Sequence, residues 1–163
     1  MVAEYLPLIF IAVLIYFWLS NKTNSRNNAL YAGYASILGV TINLLITTFY
    51  FHPRPFMENI GKLLIDHVPE TSFPSDHTTF MLSLSITLLL LKETRKTGML
   101  LSVLGLVGGL SRVLCGIHYP FDILGSLLVA TIAALVIILL RSRLIKLNRS
   151  LVAIYARVLN ACS

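Results

Sequence analysis

The sequence predicts an all-α integral membrane protein: a bundle of about five transmembrane helices with a C-terminal amphipathic interfacial helix. Three observations carry this prediction. Hydrophobic residues make up 56% of the chain and charged ones only 12%, a balance foreign to soluble domains. The apolar residues gather into runs over Leu6–Leu19, Leu30–Phe51, Thr78–Leu91, Met99–Leu114 and Ile123–Leu140. The basic residues fall into alternate connections between those runs, as in a multi-span protein with a defined orientation.

Each element follows from these runs. A spanning helix needs about 20 residues, with a range of about 17–25. Leu30–Phe51 and Ile123–Leu140 qualify outright, and the other three do so when neighbouring Tyr, Ser or Thr residues are counted. The first run lacks the basic leader and small-residue cleavage site of a secretory signal, so it is expected to be a helix of the bundle. Lys22 and Arg26 follow the first helix, Lys92, Arg95 and Lys96 the third, and Arg141, Arg143, Lys146, Arg149 and Arg157 the fifth. These all fall on one side, which the positive-inside rule makes cytoplasmic, with the N-terminus outside. The net charge of +6 is therefore a topology signal, and no nucleic-acid partner is expected.

Residues 1–140 form the predicted membrane domain. Residues 141–163 form a basic helix on the cytoplasmic face, with Leu144, Leu147, Leu151, Ile154, Tyr155 and Val158 on one side and Lys146, Arg149 and Arg157 opposite. That pattern suits an anionic leaflet. The long outer connection, His52 to Phe73, contains Leu63-Leu64-Ile65, which reads either as a short interfacial helix or as part of a compact capping loop. Cys115 and Cys162 fall at opposite ends of this topology, so no disulfide between them is expected.

The functional signal is charge in an apolar chain. An ionisable residue at membrane depth marks a functional site by default. Arg54-Pro55 follows the second helix, Pro74-Ser75-Asp76-His77 opens the third, Arg112 closes the fourth, and His118-Tyr119-Pro120-Phe121-Asp122 opens the fifth. The topology brings all four segments to the outer face.

Pro120 suits the first turn of a helix. His118 then sits just before that helix, and the Asp122 carboxylate can reach back to one imidazole nitrogen. The other nitrogen is left as a lone pair, the base-and-orienter pattern of activated nucleophiles. Ser75 is a natural N-cap whose hydroxyl and neighbouring N–H groups face an anion. Arg54 and Arg112 offer planar donors for phosphate oxygens. His77 is the candidate general acid for the leaving oxygen. Together these groups suit phosphoryl transfer.

The segments Arg54-Pro55, Pro74-Ser75-x-His77 and Ser111-Arg112-x5-His118-x3-Asp122 resemble the three signatures of the type 2 phosphatidic-acid phosphatase superfamily. The resemblance covers about Leu30 to Leu140. It implies a lipid-phosphatase domain with His118 as nucleophile, Asp122 as its partner and His77 as acid. It also implies Arg54, Ser75 and Arg112 as phosphate ligands, with no metal or other cofactor.

The fuller segments Tyr50-Phe51-x-Pro53-Arg54-Pro55-Phe56, Thr71 to Thr79 and His118 to Ser126 resemble the bacitracin-resistance type of bacterial undecaprenyl-diphosphate phosphatase. This narrower resemblance implies a lipid-diphosphate substrate met at the outer leaflet of the cell membrane, where hydrolysis recycles the cell-wall carrier. Two positions depart from the pattern. Thr47 stands where the superfamily carries a lysine, leaving Lys62 or another group to substitute. Asp76 replaces a glycine, either as a first-turn acid favoured by the helix dipole or as a group orienting an arginine or the diphosphate leaving group.

Other readings share parts of this pattern. A broader lipid phosphatase or phosphotransferase acting on phosphatidylglycerol phosphate or phosphatidate needs the same site. An anion transporter would place its site near the bilayer midplane between repeated halves, and the chain shows neither feature. The oligomeric state is left open by the sequence.

Overall fold

The computed structural model describes residues 2–20, 22–60, 62–65 and 67–162. Its α-helices are α1 (Val2–Leu19), α2 (Thr23–Phe49), α3 (Asp76–Leu90), α4 (Arg95–Leu114) and α5 (Pro120–Cys162), with short 3-10 turns at Pro55–Glu58 and Lys92–Thr94. Among the described residues, three helical stretches are long and apolar enough to cross a membrane: Thr23–Phe49, Lys92–Leu114 and Pro120–Val158.

The short α3 has a physical reason. It packs against all four other helices and carries the polar residues Thr78, Thr79, Ser83, Ser85 and Thr87 fully buried. Its 15 residues rise only about 22 Å. A helix wrapped by its neighbours meets little lipid, and small hydroxyl side chains let those neighbours come close.

α4 docks on α3 through one face: Gly98, Leu101, Gly105, Gly108, Gly109 and Arg112 are its buried residues. The small residues bring the backbones together. At Gly98 the approach is closest, since a Cβ there would collide with the α3 backbone at Leu88 and Leu89. Arg112 sits at the C-terminal end of this same face, which is why a guanidinium closing a membrane helix turns inward. On α5 the buried face runs Asp122, Ile123, Ser126, Val129, Ala130, Ala133, Ala134 and Ile137, again ending in a site residue.

The two ends of the bundle differ in character. At one end Glu93 accepts hydrogen bonds from Asn24 (2.8 Å) and Asn28 (3.4 Å), and Tyr31 Oη donates to the Arg141 carbonyl (3.4 Å). Most of the basic residues cluster around this end. At the other end lie Arg54, Ser75, Arg112 and His118.

The basic C-terminal segment is continuous with the last membrane helix: α5 runs unbroken for 43 residues, about 65 Å. A straight helix of that length would exceed the roughly 40–45 Å of a bilayer with its headgroups. The C-terminal segment is pinned to the bundle. Tyr34 Oη donates to the buried Asn148 Oδ1 (3.0 Å), and Trp18 and Arg26 pack on the Tyr155 ring. In the connection between α2 and α3, residues 63–65 are not helical, in keeping with the capping-loop alternative. Cys115 is a free thiol, and the Cys162 side chain lies outside the described ones.

Candidate active site

The chain leaves α2 at Tyr50 in extended conformation, and the ring of Pro55 starts a 3-10 turn directly after Arg54. This places Arg54 under the loop that returns at Ser72, whose backbone N–H donates to the His52 carbonyl (2.7 Å). Between α4 and α5, Gly116 takes a left-handed φ of 74°. A Cβ there would also lie 2.7 Å from the Lys62 carbonyl oxygen, so glycine is required on both counts. That turn delivers His118 to the mouth of α5.

His118, Asp122, Arg112 and Arg54 are 3%, 0%, 2% and 4% exposed, so their polar atoms must find partners inside the protein. Asp122 Oδ2 accepts from His118 Nδ1 (3.3 Å), from the Tyr119 backbone N–H (2.8 Å) and from Ser72 Oγ. These partners put the imidazole proton on Nδ1 and leave the lone pair on Nε2. Arg54 Nη1 faces that lone pair at 3.4 Å and also donates to the Ile117 carbonyl (3.3 Å). The nucleophile candidate and a phosphate-ligand candidate therefore point at one volume.

Burial pushes the His118 imidazole below its ordinary value. The Asp122 hydrogen bond opposes this, and the positive charges of Arg112 and Arg54 reinforce it. A lowered value keeps the imidazole neutral further into acid. The acid limb of a kcat/KM profile is therefore expected below the free-histidine value of about 6.5. A limb at or above that value, measured on the purified enzyme, contradicts the assignment.

Arg112 is linked to this group through the loop between α2 and α3. Its Nη2 lies 3.3 Å from His67 Nε2, and His67 Nδ1 faces the Val68 carbonyl (3.2 Å). Burial lowers the His67 value, and the Arg54 and Arg112 charges lower it further, so the ring serves Arg112 as a neutral acceptor. Glu70 completes the link, accepting from Arg54 Nη2 at 2.8 Å and lying 3.8 Å from His67 Nδ1.

The remaining predicted residues take separate positions. Ser75 is the N-cap of α3 by backbone geometry, but its side chain makes no capping hydrogen bond. Its Oγ instead accepts from Thr78 Oγ1 (3.0 Å), and its backbone N–H donates to Ser126 Oγ (2.9 Å). Ser126 in turn donates to the Asp122 carbonyl (2.8 Å), tying the start of α3 to the first turn of α5. Asp76 is exposed and accepts from Asn43 Nδ2 (2.8 Å), so its direct hydrogen-bond partner is an amide rather than an arginine. His77 is half-buried, interacts electrostatically with Arg112, Asp76 and His118, and opens onto an apolar cavity. Thr47 turns its hydroxyl back to the Leu44 carbonyl (3.0 Å) and Lys62 is exposed.

Ser72, His67, Glu70, Asn43 and His52 were not singled out from the sequence. His52 Nδ1 lies 3.9 Å from Asp122 Oδ1, and neither atom has a hydrogen-bond partner among the described residues. Ser72 lies within the Thr71 to Thr79 segment without a role assigned to it, and the signal for His52 was its place between Phe51 and Pro53. Glu70 and His67 sit in a loop with no periodicity to read.

Residues 28–146 match the model of the PAP2 superfamily. The undecaprenyl-diphosphatase BcrC of Bacillus subtilis (strain 168) is 47% identical over 131 residues, covering 80% of this chain and 67% of that protein. The bacitracin transport permease protein BcrC of Bacillus licheniformis is 33% identical, covering 82% of this chain and 65% of that protein. The putative undecaprenyl-diphosphatase YbjG of Escherichia coli (strain K12) is 35% identical, covering 72% and 59%. The aligned region thus spans between 59% and 67% of the length of these relatives. No solved structure matches.

Proposed function

The chain belongs to the PAP2 superfamily, and from that premise we propose that it hydrolyses undecaprenyl diphosphate to undecaprenyl phosphate and phosphate. The reaction runs through a phosphohistidine on His118, at the outer face of the bacterial cell membrane. One observation carries the chemistry: a buried His118, oriented by Asp122 through Nδ1, turns its Nε2 lone pair to the space that Arg54 also faces. The names of the B. subtilis and E. coli relatives support the substrate. The partners are the isoprenoid lipid diphosphate and the surrounding membrane lipids.

In the first step His118 Nε2 attacks the terminal phosphorus. A P–N bond forms, the P–O bond to the bridging oxygen breaks, and His77 gives its proton to the departing lipid phosphate. Arg54, Arg112 and the Ser75 hydroxyl hold the charge spread over the transferring oxygens. Phosphate displaces Glu70 from Arg54, exchanging one anion for another. In the second step water attacks phosphorus, His77 takes its proton, and the P–N bond breaks to release phosphate.

The outward orientation rests on the basic residues gathered at the opposite end. Removing the diphosphate that bacitracin sequesters would confer resistance and return the carrier to cell-wall synthesis. Phosphate release by purified protein is expected to be faster with undecaprenyl diphosphate than with phosphatidate or phosphatidylglycerol phosphate. An equal rate on all three would support a broad lipid phosphatase instead. The transport name of the B. licheniformis relative favours a second reading, anion movement without hydrolysis, and the absence of any phosphate release would favour it.

A further inference from the structure

Two apolar cavities share a wall and lead away from His77. The first, about 300 Å³, lies between Pro7 and Ile11 of α1 and Val40 of α2, with Asp76, His77 and Phe80 of α3 behind. The second, about 460 Å³, shares Ile11, Val40 and Phe80 and continues past Leu14 to Gly33. Pro7 to Leu14 on one wall and Val40 to Gly33 on the other each cover about two helical turns, or roughly 10 Å.

The interior presents hydrocarbon. Its hydroxyls are turned to backbone: Ser36 Oγ donates to the Ala32 carbonyl (3.1 Å), and Thr41 Oγ1 to the Ile37 carbonyl (2.8 Å). The charged and titratable groups, Asp76 and His77, stand only at the mouth. At the far end Gly33 leaves open space, since a Cβ there would meet nothing within 4 Å.

We propose that this groove holds the first few isoprene units of the substrate, and that Gly33 sets how much chain it admits. The proposal rests on the diphosphatase reading above. If His77 protonates the leaving oxygen, the lipid chain begins beyond that oxygen and must depart past His77, where the groove opens. Ile37, 68% exposed, leaves the outer wall open to lipid, so the rest of a long chain lies in the bilayer. The protein thus reads the head-proximal units and not the full length.

The test compares farnesyl diphosphate with isopentenyl diphosphate, which is too short to reach Gly33. In Gly33→Trp the ratio of kcat/KM for farnesyl over isopentenyl diphosphate is expected to fall about tenfold, through lost apolar contact. Gly33→Leu, which improves helix propensity and demands less room, is expected to shift the ratio the same way by less. Leu139→Trp, on the lipid-facing side of α5 and 79% exposed, serves as the control and leaves the ratio unchanged. An unchanged ratio in both Gly33 variants, or an equal fall in Leu139→Trp, overturns the groove. Hydrolysis of undecaprenyl diphosphate but of neither short diphosphate also overturns the groove, whereas hydrolysis of none of the three by the wild type defeats the diphosphatase reading itself, a separate result.

Discussion

His118→Ala is expected to lower kcat by about 10⁴-fold or more while the protein stays folded. The side chain supplies the bond to phosphorus, and no other described group offers a lone pair at that point. Arg54, Arg112 and Ser75 remain to bind phosphate, so KM should move far less than kcat. The cavity left is small, and Asp122 keeps the Ser72 hydroxyl and the Tyr119 N–H as donors. Thermal unfolding in detergent, followed beside phosphate release, separates loss of chemistry from loss of fold. Residual activity within about tenfold of wild type would mean that water or another group attacks phosphorus directly.

Arg54→Ala is expected to cost about 10²–10³ in kcat, the usual loss on removing one preorganised donor to a developing oxyanion. Arg54→Lys should recover only part of this, because a point charge cannot donate to the transferring oxygens and to the Ile117 carbonyl at once. Glu70 gives the contrast. Its carboxylate holds Arg54 at 2.8 Å yet is 53% exposed, so it competes with phosphate without being a buried anchor. Glu70→Gln should lower KM a few-fold, the scale of an exposed ion pair. A large loss of kcat in Glu70→Gln would make Glu70 part of the catalytic group and not a competitor for it.

The helices and their ends were legible because membrane burial writes itself plainly into composition. Arg54, Ser75, Arg112 and His118 lie where the apolar runs stop, and charge placement alone set them on one face. The His118–Asp122 contact was legible for a stricter reason: Pro120 starts a helix, and four residues of helix bring the carboxylate back. What could not be read depends on the return path of the loop. His67 and Glu70 reach the arginines only because residues 52–73 fold back over the bundle, which no local pattern encodes. Asn43 lies within α2 and looks like an ordinary polar residue until α3 packs beside it and Asp76 accepts its amide. The C-terminal segment was legible as amphipathic, but its continuity with α5 was not, since a basic run at Arg141 marks a membrane boundary whether or not the helix stops.

The central claim is a covalent phosphohistidine on His118, and rapid-quench trapping tests it most directly. The enzyme is mixed with lipid diphosphate radiolabelled in its terminal phosphate and quenched within the first turnover, with His118→Ala run alongside as the control. An acid-labile, alkali-stable label on the peptide bearing residue 118 in wild type, and none in His118→Ala, is the expected result. Turnover by the wild type with no label on His118 would contradict the account.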